Sequence, residues 1–399
     1  MTTTIDNEHK IFNVPNLRFP EFEGEWQEKR LSDIADLSKG IGISKDQLSA
    51  DGEPCILYGE LYTKYKSETI KEVISKTNID NTKLVKSKAN DVIIPCSGET
   101  AEEIATARCV LKDDILLGGD LNIIRLHGYD GSFMSYQLNG KRKYDIAKVA
   151  QGVSVVHLYG EHLKNIKTIN PSLNEQKKIA NLLSLLDERI STQNKIIEDL
   201  KKLRSAIIER EYTFKVQTHS HIGDFIEQNS NRNKDNIIQN VLSVSNRQGF
   251  IRQREQFEDR SIASDDTSNY KIVARNDFAF NPARINVGSI ARLTTFEKGI
   301  VSPMYICFHT KNSILPEYLS FYFETKQFFS EIQKRLEGSV RQCLSYEGLC
   351  NIPFFPPVIE DQRRIGKRLF TLVQKFNLEM TFLEMLQKQK TYLLRQMFI

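Results

Sequence analysis

An internal repeat constrains this chain more than any single motif in it. Gln151-Gly-Val-Ser-Val-Val-His-Leu-Tyr-Gly-Glu161-His-Leu-Lys-Asn-Ile166 lies over Glu337-Gly-Ser-Val-Arg-Gln-Cys-Leu-Ser-Tyr-Glu347-Gly-Leu-Cys-Asn-Ile352 at an ungapped offset of 186. The same offset pairs Gly152 with Gly338, Asn165 with Asn351, Pro171 with Pro357, Glu175 with Asp361, Gln176 with Gln362 and Ile179 with Ile365. Upstream it sets Asn90-Asp91-Val-Ile-Ile on Asn276-Asp277-Phe-Ala-Phe. At a slightly different offset, Leu31-Ser-Asp33-Ile-Ala resembles Ile222-Gly-Asp224-Phe-Ile. One unit is used twice, and a fold for this chain has to accommodate two copies.

Each copy ends in a long helical pattern. A 4-3 spacing runs Ile179, Leu183, Leu186, Ile190, Gln193, Ile197, Leu200, Arg204, Ile207. Its counterpart runs Ile365, Leu369, Leu372, Phe376, Glu379, Leu383, Leu386, Lys390, Leu393, Met397. A heptad seam this long predicts coiled-coil packing, the alternative being a surface helix on its own domain. The polar interruptions match, Gln193 with Glu379 and Arg204 with Lys390. Both helices open after proline with acidic residues in the first turn.

Between the helices the sequence is mixed. Strands are expected at Cys55–Tyr58, Asp91–Pro95, Leu121–Arg125, Asn276–Phe280 and Pro303–Phe308, and helices over Gly131–Ala147 and Pro316–Leu336. The aromatics Tyr318, Phe321, Tyr322, Phe323, Phe328 and Phe329 recur at helical spacing and predict core rather than a base-stacking platform. The pattern is α+β. The division is residues 1–170 (1–13 a flexible tail), a helix over 171–213, a second globular segment over 214–356 and a second helix over 357–399.

Catalytic signatures are missing. Gly140-Lys141 lacks the earlier glycine and the following Ser or Thr of a phosphate loop. No Gly-x-Ser-x-Gly elbow occurs. Asn281-Pro282-Ala283-Arg284 lacks the second proline and the aromatic of the amino-methyltransferase strip. His219/His221 and His157/His162 have no supporting ligands at metal spacing. The six cysteines form no Cys-x-x-Cys pair and read as scattered buried thiols. No metal site is expected. No apolar run is long enough for a membrane span and the polar start is not a signal peptide, so the expected location is cytoplasmic. A net charge of +4 in 399 residues neither requires nor excludes nucleic acid.

Taken together, the chain resembles the specificity (S) subunits of type I restriction-modification systems. The resemblance is carried by Val14-Pro-Asn-Leu-Arg18-Phe-Pro-Glu-Phe22-x-Gly24-x-Trp26 and by Lys29-Arg-Leu31-Ser-Asp33-Ile-Ala. It also rests on the paired hinges Pro171-Ser-Leu-Asn-Glu175-Gln176-Lys-Lys-Ile179 and Pro357-Val-Ile-Glu-Asp361-Gln362-Arg-Arg-Ile365. It implies two pseudo-repeated mixed α/β target recognition domains separated by a long two-helix antiparallel coiled coil. It also implies a non-catalytic chain that reads a bipartite, asymmetric double-stranded DNA target. The implied partners are two methyltransferase and two restriction-translocation subunits, which would hold S-adenosylmethionine, ATP and Mg. Two other readings stand beside it: a coiled-coil scaffold without DNA reading, and an enzyme with a dispersed active site.

Base readers are expected on polar, basic loops with glycine freedom. In the first copy these are Lys39, Ser44, Lys45, Tyr58, Tyr62, Lys64, Ser97 and Thr100. In the second they are Asn246, Arg247, Gln248, Arg252, Arg254, Arg284, Asn286, Arg341 and Gln342. Arg and Lys can grip guanine, and Asn or Gln adenine, in the major groove, while other lysines hold phosphate.

Overall fold

The computed structural model describes residues 13–152, 155–213, 220–246, 248–256 (side chains of 255 and 256 excepted), 266–338 and 342–399. It divides into two compact units, one of residues up to Lys195 with Thr381–Ile399, the other Ile196–Met380. The boundary falls inside both long helices rather than at their ends. Each unit therefore owns a globular body and a portion of each helix.

The first body is built on β1 (Ala35–Lys39), β2 (Glu53–Ile56), β3 (Ser75–Thr77), β4 (Val85–Lys86), β5 (Asp91–Pro95), β6 (Arg108–Val110), β7 (Leu116–Leu117) and β8 (Leu121–Leu126). One sheet runs β1-β8-β5-β6 with antiparallel neighbours. The other runs β3-β2-β7-β4, and there β2 and β7 are parallel. Two short strands extend these sheets, Thr69–Ile70 beside β6 and Leu48–Ser49 beside β3. Side chains alternate across β5. Val92 and Ile94 pack with Ile124, Met134 and Leu138, whereas Ile93 packs with Ile56, Leu117 and Ile123. The period of two thus puts helix on one face of the first sheet and the second sheet on the other.

The second body repeats this strand for strand: β9 (Ile226–Asn229), β10 (Val241–Ser245), β11 (Gly249–Arg252), β12 (Lys271–Ala274), β13 (Phe278–Phe280), β14 (Ile290–Arg292), β15 (Lys298–Val301) and β16 (Ile306–Thr310). The sheet orders are β9-β16-β13-β14 and β11-β10-β15-β12, with β10 and β15 parallel. Along β13, Phe278 and Phe280 join Phe308, Tyr318 and Tyr322, and Ala279 turns to Leu242, Val301 and Cys307. The aromatic-rich stretch is core, with Tyr318, Phe321, Tyr322, Phe323 and Phe328 buried.

The duplication reaches single hydrogen bonds. The bridge Gln151↔His157 has its counterpart in Glu337↔Cys343. Leu31 N–H donates to Ile166 O at 3.0 Å, as Ile222 N–H does to Ile352 O at 3.0 Å. Asn90 and Asn276 both hold the left-handed conformation, at φ 83° and 73°, which asparagine's short polar side chain tolerates. Gly152 has φ 122°, and a Cβ there would lie 2.1 Å from Val155 O. Gly338 repeats that conformation at φ 106°.

Two expected helices are each broken in two. Gly131–Asn139 stops at Gly140 before Lys143–Val149, and Pro316–Tyr322 is followed by Lys326–Gln333, which Thr325 caps by accepting from Phe328 N–H. A glycine and a capping threonine outweigh the continuous apolar spacing.

The long helices are α1 (Leu173–Glu211) and α2 (Ile359–Gln396). In the first unit Ile179 and Leu183 near the start of α1 pack with Leu393 and Met397 near the end of α2. In the second, Ile208 and Tyr212 pack with Ile365 and Leu369. The pairing is antiparallel in both. Among the seam residues Ile179, Leu183, Leu186, Ile197, Ile365, Leu369, Leu383 and Leu386 are buried, and Ile190, Leu200, Leu372, Phe376 and Leu393 half-buried.

The hinge motifs lock each helix to its body. Gln176 Oε1 accepts from Asp130 N–H at 2.9 Å while its Nε2 donates to Pro171 O at 2.9 Å. Gln362 Oε1 accepts from Leu315 N–H at 2.8 Å while its Nε2 donates to Pro357 O at 2.8 Å. In the first unit an arm adds to the lock: the Arg18 guanidinium grips both oxygens of buried Glu175 at 2.8 Å, and Trp26 Nε1–H donates to the same carboxylate at 3.3 Å. Asp361, at the position of Glu175, pairs instead with Arg364 beside it.

Candidate nucleic-acid interface

In the first unit, loops that follow different strands converge beyond one end of the sheets. Tyr62, after β2, donates its hydroxyl hydrogen to Ser97 O at 3.3 Å. Ser97 follows β5, and its Oγ lies 3.3 Å from His157 Nδ1. Ser97–Gly98 pairs as a short strand with Val156–His157. The loop after β1 joins through Gly40, where a Cβ would meet Gly118 O at 2.1 Å, and Cys96 N–H donates to Asp120 O at 2.7 Å. Ser44, Lys45, Tyr58 and Thr100 are exposed on this rim.

Several nominated side chains are already engaged. Lys64 Nζ sits 2.7 Å from buried Glu60 and 2.6 Å from Ser75 Oγ, an internal contact rather than a free cation. Thr100 Oγ1 accepts from Glu103 N–H at 3.2 Å as a helix cap. Lys39 lies 3.4 Å from Asp120. Burial pushes the Tyr62 phenol upward, with Glu103 adding to the rise, so it stays a neutral donor.

The second unit assembles the equivalent loops. Gly288, after β13, has φ 89° and approaches Asn246, after β10, so that a Cβ would lie 3.8 Å from Asn246 Cβ. Ser289 Oγ donates to Val244 O at 3.2 Å, and Leu344 N–H donates to Pro282 O at 3.1 Å. Residues 245, 246, 248 and 249 and the segments 281–289 and 342–344 are therefore one surface. Asn246, Gln248, Arg284, Asn286 and Gln342 are exposed on it. Arg254 is exposed on Gln253–Gln256, and Arg252 stacks its guanidinium 5.5 Å from the Phe296 ring centroid. Arg247 and Arg341 lie outside the described residues. Asn246, Gln248 and Gly288 line a cleft of about 620 Å³ with Ile290, Arg292 and Thr294.

Two participants escaped the sequence reading. His157 and Tyr159, whose rings stack at 6.2 Å, sit beside Ser97. The repeat carried that signal, because nominated Arg341 and Gln342 fall on Val155 and Val156 at the offset of 186. The segment after β9, with Arg232 donating to Asn269 at 3.0 Å, occupies the strand position of the nominated loop after β1. No three His, Cys, Asp or Glu side chains gather as a metal site among the described residues. No helix among them is long and apolar enough to cross a membrane. All six cysteines are free, and burial pushes Cys55 and Cys96 to about 11 and Cys109 and Cys307 to about 12.

Residues 23–202 match the family model described as the type I restriction modification DNA specificity domain. The chain is 28% identical over 226 residues, 55% of its length, to the type I restriction enzyme MjaVIII specificity subunit of Methanocaldococcus jannaschii, and this covers 50% of that protein. It spans about half the length of the curated relatives it matches, 50% and 54%. Among solved structures, the S subunit of a type I restriction-modification system from M. genitalium superposes with a TM-score of 0.62 at 18% identity, over 97% of this chain and 99% of that one. A chain from a type I R-M assembly gives 0.51 at 14% identity, over 94% and 97%. These likenesses show a shared fold along nearly the whole chain. With the duplicated sheets and the paired hinges, they show that the chain resembles type I restriction-modification specificity subunits, in sequence over residues 23–202 and in fold along nearly its whole length.

Proposed function

We propose that this chain reads a bipartite, asymmetric site in double-stranded DNA, one half-site per repeat, and directs methyltransferase and restriction-translocation subunits to it. The observation that carries this reading is the convergence of topologically equivalent loops in both repeats, bearing different side chains on a common backbone plan. A repeated scaffold with unlike polar rims suits two different half-sites, as a dimer with like rims suits a palindrome. Asn246, Gln248, Arg284, Asn286 and Gln342 supply the bidentate amide and guanidinium chemistry that distinguishes adenine and guanine in the major groove. Ser44, Lys45, Tyr58, Ser97 and His157 form the corresponding rim of the first repeat. Lys64 and Thr100 are engaged within the fold and stand outside the proposed reading set.

The chain itself performs no methyl transfer and no cleavage in this reading. S-adenosylmethionine, ATP and Mg belong to the partners, taken as two methyltransferase and two restriction-translocation subunits, in the cytoplasm. Methylome sequencing of cells expressing the chain with a cognate methyltransferase subunit tests it. A new bipartite adenine motif is expected. An assembled complex that methylates no new motif, or methylates without sequence preference, would refute it.

A further inference from the structure

The second unit carries a cationic cleft that its repeat lacks. Arg275, Arg292, Arg363 and Lys367 line a cavity of about 710 Å³, with Glu317 and Phe370 also on its wall. Glu317 lies 2.5 Å from Arg292, whose Nε is buried without a hydrogen-bond partner. Arg275 pairs with Glu297 at the surface. Arg363 and Lys367 are exposed on the first turns of α2, and neither pairs with a carboxylate among the described residues.

The duplicated fold is its own control. The strand ladders place Cys109 opposite Val92 and Arg292 opposite Phe278, so Cys109 is the counterpart of Arg292. The matched glutamine locks make Ser132 the counterpart of Glu317, and Cys109 and Ser132 are hydrogen-bonded to each other. Ala89, Lys177 and Asn181 stand where Arg275, Arg363 and Lys367 stand. Gly131 closes that region of the first unit, since a Cβ on it would meet Asn90 O at 2.3 Å and Cys109 Sγ at 2.9 Å. One cation therefore serves where the second repeat has four, and the same sheet and helix fold without them. The extra charge is not a requirement of the fold.

We infer that this cleft holds the phosphodiester backbone of DNA beside the half-site read by the second repeat. The inference rests on the DNA-reading role proposed above. Continuity favours phosphate over an acidic protein segment: Arg292, Thr294 and Phe370 also line the neighbouring cleft with Asn246, Gln248 and Gly288. A strand of backbone leaving those base-reading side chains meets Arg292 next. Guanidinium forks and a lysine ammonium are the usual phosphate grips, and such contacts weigh equally on every sequence.

The test uses the full chain assembled with its methyltransferase subunits, with a pool of random-sequence duplexes as probe. The double variant R363Q/K367Q removes two cations that pair with no carboxylate among the described residues. Each phosphate contact adds about 0.9 to the slope of log affinity against log salt, so the slope should become shallower by about 1.8. Binding should weaken to the same extent on all duplexes, while the methylated motif stays unchanged. A complex that binds duplex with an unchanged slope would overturn this inference and leave the reading role standing. Loss of methyltransferase co-purification at an unchanged slope would assign the cleft to a protein partner instead. A complex that binds no duplex at all would overturn both.

Discussion

Lys390 of α2 places its Nζ 2.6 Å from Asp187 of α1, and the same ammonium lies 2.7 Å from Glu68 of the first globular body. Tyr136 donates its hydroxyl hydrogen to Asp187 at 2.8 Å, and Ser67 donates to it at 3.0 Å. One cation therefore ties both helices to one body. Its counterpart in the repeat, Arg204 of α1, turns likewise to its own unit, 2.6 Å from Glu324 and over the Phe321 ring at 5.6 Å. The two basic interruptions of the heptad seam are anchors to the globular bodies.

Replacing Lys390 by methionine should strand two buried carboxylates. Breaking a buried pair by removing one partner costs about 3–5 kcal/mol, and urea unfolding measures it. A loss no larger than that of an exposed lysine on α2, such as Lys388, would show that the network contributes little.

The same cluster sets a dependence on pH. Burial pulls the Lys390 ammonium down, but Glu68 and Asp187 outweigh it and leave its pKa raised. A cation whose pKa is raised on folding stabilises fully below its unfolded value, and that stabilisation is lost as pH rises through the native value. Stability should therefore fall on the alkaline side, above about pH 10.4. The lysine-to-methionine variant should lack this component, as urea midpoints across the alkaline range would report.

Gln176→Ala and Gln362→Ala should each leave a backbone N–H, of Asp130 or Leu315, without its acceptor. An unsatisfied buried donor costs about 1–3 kcal/mol. The two losses should be alike in size, and amide exchange should speed up at Asp130 in one variant and at Leu315 in the other.

Arg18→Ala should uncover the charge of Glu175 beneath the only tryptophan in the chain. The expected cost is about 3–5 kcal/mol. Because Trp26 is 2% exposed, its emission should shift to the red as the arm loosens. An unshifted emission would show that Trp26 is held without Arg18.

Asn246→Ala with Gln248→Ala should relax the methylated motif in one half-site only, by about 1–3 kcal/mol for each lost base contact. Lys64→Ala should lower stability and leave the motif intact, since Lys64 is held by Glu60 and Ser75. A motif altered by Lys64→Ala would return that residue to the reading surface.

The duplication, the heptad seam and the alternating core strands are legible in residue spacing alone. These are properties of spacing: a period of two along Asp91–Pro95 or of 3.5 along α1 assigns each side chain a face before any partner is known. The matched Gln176 and Gln362 were legible in the same way, as one local device written twice. Whatever depends on long-range pairing emerges once the chain is packed. Lys390 and Arg204 look alike as seam interruptions, yet their partners Glu68 and Glu324 lie more than a hundred residues away. Lys64 reads as a free cation in a polar loop until Glu60 and Ser75 are seen to hold it. His157 joins the rim because Ser97–Gly98 pairs with Val156–His157, a contact that no spacing encodes. Loop side chains face solvent, ligand or fold according to which distant backbone approaches them, and that approach is set by the packing of the whole unit.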